Sequence, residues 1–129
     1  MRDFEFSVNS NIENAELNEL YRAAWPKHTN GDHIQVLARS LAYVCARQAG
    51  QLVGFVYVAW DGGQHAFLLD TTVHPSVQRK GIGAELVKEA ARAARESGCE
   101  WLHVDYEEGL EPFYEAAGFR STKAGLMRL

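Results

Sequence analysis

Sulfur, proline and long apolar stretches are all scarce in this chain of 129 residues, which has 2 cysteines, 2 methionines and 3 prolines. The two cysteines, Cys45 and Cys99, are far apart and each has apolar neighbours, the usual setting of a buried thiol. Neither a disulfide nor a metal site is therefore expected. Blocks of one charge are also missing: 13 Lys and Arg face 17 Asp and Glu, for a net charge of −4. That balance argues against nucleic acid as a partner and only weakly favours a cationic one. The opening MRDFEFSVNS lacks the apolar centre of a signal peptide, and no apolar run approaches the length of a membrane span. A cytoplasmic protein without a membrane partner is the expectation.

What is present suits one domain over residues 1–129, because a hydrophobic content of 47% at this length can build a core without staples. Residues 4–8 alternate as an edge strand. Asn11 offers a cap to a helix over residues 12–25, where Leu17, Leu20, Tyr21 and Ala24 recur at helical spacing before Pro26. Asp32 can cap a second short helix, with Ile34, Leu37, Ala38 and Leu41 as its apolar stripe. Two strands over 42–47 and 52–60 flank the turn Ala49-Gly50, and Asp61-Gly62-Gly63 leads to a third over 65–73. The mostly apolar composition of this third strand predicts burial on both faces. A clear amphipathic helix over 81–97 ends at Gly98, followed by a strand over 101–106, a short helix over 110–117, and one or two short strands from Phe119 onward. This order predicts an α/β (α+β) fold with a mixed, mainly antiparallel sheet and helices on both faces.

The most informative stretch is VHPSVQRKGIGA, residues 73–84, which joins a strand to the N-terminus of the long helix. Helix N-termini bind anions, since the first N–H groups have no acceptor within the helix and the macrodipole adds partial positive charge. Arg79 and Lys80 add full charges beside it. A Walker A loop would need GxxxxGK followed by Ser or Thr, which is absent, and a dinucleotide fingerprint would need a glycine where Leu86 stands. Taken alone, Gly81 and Gly83 could equally serve only a tight turn.

Val73, Pro75, Gln78, Gly81 and Gly83, placed between an apolar strand and an amphipathic helix, resemble the acetyl-CoA-binding motif of the Gcn5-related N-acetyltransferase (GNAT) superfamily. Phe113-Tyr114 and Gly118-Phe119 match the family's late FYxxxGF signature, and Asp70 stands where many members carry an acidic residue. The resemblance implies an acyl-CoA-dependent N-acetyltransferase with acetyl-CoA as donor and a small-molecule or peptide amine as acceptor. The backbone of Arg79, Lys80, Gly81, Ile82, Gly83 and Ala84 would hold the pyrophosphate, with Gln78 in the same motif. Pantetheine would run along Thr71, Thr72 and Val73, where the strand over 101–106 splays away. A backbone N–H of Thr72 or Val73 would polarise the thioester carbonyl.

By the same resemblance Tyr114 would protonate the leaving thiolate. A base is less specified: Asp70 projects to one sheet face, while His65, His103, Asp105, Glu107 and Glu108 are competitors, and each could equally be a solvated or structural group. Residues 25–33 and 107–110 would shape the acceptor pocket, with Trp25, His28, His33, Glu107 and Glu108 offering an aromatic and acidic lining; a solvated loop with Trp25 in the core is the alternative. The sequence departs from the family at Glu107, where many members have asparagine, and at Pro112, which suggests a different helix start. Two further readings stay open, a non-catalytic acyl-CoA-binding module and a homodimer.

Overall fold

The computed structural model describes residues 3–129. Its sheet runs β1 (Glu5–Val8), β2 (Ala42–Gln48), β3 (Gln51–Trp60), β4 (His65–Val73) and β5 (Trp101–His103), in that spatial order. The first four strands pair antiparallel, and β5 lies parallel to β4. A parallel neighbour requires a crossover, which α3 (Ile82–Glu96) supplies. Helices α1 (Asn14–Ala24) and α2 (Ile34–Arg39) follow β1, and α4 (Glu111–Ala116) follows β5.

Two apolar clusters cover the two sheet faces. On one face Leu17, Leu20 and Tyr21 of α1 meet Cys45, Leu52 and Phe55. On the other, Ile82, Leu86, Val87, Ala90 and Ala94 of α3 meet Val44, Val56, Val58, Ala66 and Leu68, with Tyr114 of α4 in the same cluster. Gly54 permits the close seating of α3: a Cβ there would lie 3.1 Å from Ala46 Cβ, Ile82 Cγ2 and Leu86 Cδ1. Arg47 clamps α1 to β2 through two parallel bonds to Glu16, each 2.8 Å long.

The structure corrects several sequence expectations. Asn11 does not cap α1; Glu13 holds that position, and its N–H donates to Glu16 Oε2 at 2.8 Å. Asp32 Oδ1 accepts from the Ile34 N–H at 3.1 Å, although His33 is the residue at the cap of α2. β4 is not buried on both faces, because the helices beyond Phe55 leave Phe67 exposed. β5 stops at His103, and no strand forms over residues 119–129. Cys45 is fully buried whereas Cys99 is only partly so, and both thiols are free. Burial pushes the Cys45 thiol up to about 11, so it is an inert core group.

Candidate active site

β4 runs out at Val73, and a 3-10 turn over Pro75–Val77 redirects the chain. His74 Nδ1 accepts from the Ser76 N–H at 3.1 Å, and buried Val77 anchors the turn in the core. Gln78 Nε2 then donates back to the Val73 carbonyl at 3.3 Å, tying the loop to the strand it left. Arg79 and Gly81 take positive φ values of 63° and 84°, which swing the chain into α3. The Glu85 N–H bonds to Gly81 O at 3.1 Å, so the N–H groups of Ile82, Gly83 and Ala84 lack an acceptor within the helix.

Those N–H groups border a groove of about 570 Å³ whose other walls are Thr71 and Val73 of β4 and Leu110, Phe113 and Tyr114. β5 pairs with β4 only from His65 to Phe67, which leaves the β4 edge beside the groove without a strand neighbour. Gly83 matters for the shape of the wall: a Cβ there would lie 3.3 Å from the Phe113 ring and 3.7 Å from Val73 Cγ2. Tyr114 is 7% exposed, stacked on Tyr106 at 4.8 Å and edge-on to Phe113 and Phe119. This packing fixes its ring. Among the described residues its hydroxyl has no hydrogen-bond partner. An anion on the loop and an extended chain along the β4 edge both suit these walls, which is the shape a CoA moiety requires.

Asp70 sits just beyond the groove, at a bulge. Phe55 pairs with Thr72 and Tyr57 with Leu69, so β4 carries one extra residue across this step. Asp70 adopts φ 56°, in the left-handed region. Unbroken alternation would place it with Ala66 and Leu68 on the α3 face. The bulge instead brings its carboxylate to α1, where Tyr21 Oη donates to Asp70 Oδ2 at 3.2 Å. Burial raises the Asp70 pKa, while the Tyr21 hydrogen bond and the charge of His33 oppose that shift. Burial and the Asp70 charge together keep the Tyr21 hydroxyl protonated.

An aromatic wall surrounds Tyr21. Trp25 stacks on it at 4.5 Å, and His28 and His33 meet it edge-on at 5.3 and 5.2 Å. Asn18 organises the loop that carries them: its Oδ1 accepts from the Gly31 N–H and lies 3.0 Å from His28 Nε2 and 2.9 Å from His33 Nε2. Burial, and then His28, lower the His33 pKa, so His33 is neutral near pH 7 and presents an Nε2–H to Asn18. A second hollow, of about 640 Å³, lies on the outer side of this loop, but the amides lining it are already bonded to the Gly31 backbone.

The sequence candidates therefore divide. Thr71, Val73, Gln78, Arg79, Gly81, Ile82, Gly83, Ala84 and Tyr114 border the groove. Ile82 contributes backbone there, because its side chain is buried in the core. Thr72 is also buried, with its hydroxyl donating to Asp70 O at 2.8 Å, and Lys80 is exposed outside the groove walls. Trp25 and His28 join the wall beside Asp70. Glu107 and Glu108 lie exposed in the turn before Leu110. His65 and His103 pair with each other at 2.8 Å at the opposite end of β4. Asn18 and Tyr21 were missed as site residues, since Tyr21 reads as part of the apolar stripe of α1.

A model of the acetyltransferase (GNAT) family matches residues 11–119. Glucosamine 6-phosphate N-acetyltransferase of Trypanosoma brucei brucei is 30% identical over 83 residues, which are 60% of this chain and 56% of that protein. The chain thus spans little more than half the length of that relative. An uncharacterised N-acetyltransferase of Pyropia yezoensis is 26% identical over 123 residues, covering 92% of this chain and 71% of that one. A GNAT-family acetyltransferase structure from Streptococcus pneumoniae superposes with a TM-score of 0.83 and 27% identity, covering 98% and 97% of the two chains. An aminoglycoside N-acetyltransferase in complex with CoA gives a TM-score of 0.78 at 20% identity, over 98% and 93%. That last likeness bears on the fold alone.

Proposed function

The chain belongs to the acetyltransferase (GNAT) family, and on that premise we propose that it is an enzyme that transfers an acetyl group from acetyl-CoA to a primary amine by direct attack. The observation that carries the proposal is the groove itself, in which unpaired helix N–H groups, an open strand edge and a fixed tyrosine converge. Acetyl-CoA supplies an activated acetyl group as a thioester. The N–H groups of Ile82, Gly83 and Ala84, with Arg79 beside them, hold its pyrophosphate. Backbone groups of Thr71 and Val73 pair with the amides of its pantetheine, as an added strand would.

Asp70 and Tyr114 divide the proton transfers. Asp70 receives the proton of the attacking amine, directly or through water, and its raised proton affinity suits a base working near neutral pH. Tyr114 Oη donates to the departing thiolate; a thiol of pKa about 8.5 is already a tolerable leaving group, so this donor assists rather than being indispensable. Trp25, His28, Tyr21 and the Asp70 carboxylate form the acceptor wall, aromatic and acidic in the manner that suits an ammonium group before it loses its proton. Glu107 and Glu108 add negative charge at the mouth of the groove.

A panel of amines, amino acids, polyamines and peptide N-termini, scored by release of free CoA thiol, tests the proposal. Asp70→Asn keeps the shape and tolerates positive φ, and it should lower kcat/KM by roughly 10²–10⁴. Tyr114→Phe should lower kcat more modestly, with CoA affinity retained in both variants. Wild-type rates from both variants would remove these residues from the mechanism. Binding of CoA without turnover of any acceptor would favour the non-catalytic module.

A further inference from the structure

Residues 120–129, RSTKAGLMRL, follow Phe119 away from the body of the protein, and every one is exposed. Leu126 and Met127 are 86% and 83% accessible, far more than a folded chain leaves to apolar side chains without a reason. Among the described residues no backbone group of this segment forms a hydrogen bond; its one polar contact is Ser121 Oγ donating to Glu111 Oε1 at 3.1 Å. The segment is therefore a strand's worth of chain with no sheet to join.

The same molecule has a sheet edge with no strand to receive. β5 pairs with β4 on one side, its other side is free, and Trp101 is 48% exposed there. Such an edge is a template for another segment. Charge distinguishes it from the edge at β1. Residues 100–111 carry Glu100, Asp105, Glu107, Glu108 and Glu111 with no Lys or Arg, whereas residues 4–9 carry only Glu5. The tail carries Arg120, Lys123 and Arg128 with no acidic residue. Basic segment and acidic edge are complementary.

We propose that the protein is a symmetric homodimer in which residues 120–129 of each copy add as a strand to the free β5 edge of the other. Both copies then give and receive the same segment, so the assembly closes at two and leaves no further edge of this kind. Leu126 and Met127 leave water, and the three tail cations meet the partner's acidic β5 region.

Sedimentation velocity and amide hydrogen exchange on the wild-type chain and on the double variant Leu126→Asp, Met127→Asp test this. The wild type should sediment at twice the 14.4 kDa chain mass, with slowed exchange in both 101–106 and 120–129. The double variant should be monomeric, lose protection in both segments together, and keep its melting transition, since the tail makes no core contact. A monomeric wild type, including one in which the tail is protected on its own β5, would overturn the proposal. So would a dimer that survives the double substitution or leaves the tail unprotected.

Discussion

Burial at Asp70 raises the proton affinity of a carboxylate that Tyr21 and His33 pull the other way. The Tyr21 hydrogen bond at 3.2 Å favours the charged form, so removing it raises the Asp70 pKa further. If the carboxylate must be ionised to accept the amine proton, Tyr21→Phe should move the acid limb of kcat/KM to higher pH and leave the plateau above it largely intact. An unmoved limb would separate Tyr21 from the base, or Asp70 from the chemistry. Side-chain direction was the least legible feature at this scale. The acidic residue was visible in the sequence, but its face was not, because the bulge depends on how β3 and β4 register against each other. The helix N-terminal loop was legible in full, since orphan donors and positive-φ glycines are local properties of the chain.

Among the elements, α3 links core packing to the anion site. Ile82 is both its first residue and a contact of the position where Gly54 lacks a Cβ. Gly54→Val forces atoms into a gap of 3.1 Å, at a cost of roughly 1–3 kcal/mol for overpacking. The easiest relief is to lift the start of α3 from the sheet. Chemical denaturation should show the loss of stability, and titration with CoA should show weaker binding in the same variant; destabilisation with unaltered affinity would mean that the loop is held by other contacts. The bounds of β4 were readable from composition and turn residues. The strand expected after Phe119 was not realised, because a strand exists only with a partner, and no property of residues 119–129 alone reveals whether one is within reach.

For the molecule as a whole, the order of elements was legible throughout: breakers and periodicity placed each of the helices and the first four strands, and the crossover rule placed β5 beside β4. What could not be read was how the two faces communicate. Tyr114 and the phosphate loop lie on the α3 side, whereas Tyr21, Trp25 and His28 lie on the α1 side. The bulge at Asp70 connects them, putting a base from one face beside a groove on the other. Donor and acceptor can therefore approach one strand from opposite sides, and all of this depends on the groove accepting CoA. Calorimetric titration of the wild-type chain and of Gly83→Glu with CoA measures that directly. Glutamate at this position presses on the Phe113 ring from a Cβ 3.3 Å away and sets a negative charge among the anion-binding N–H groups. The wild type should bind one CoA per chain and the variant, still folded by its melting transition, should bind none; no heat of binding from the wild type, or equal affinity in both, would contradict the placement of the donor site.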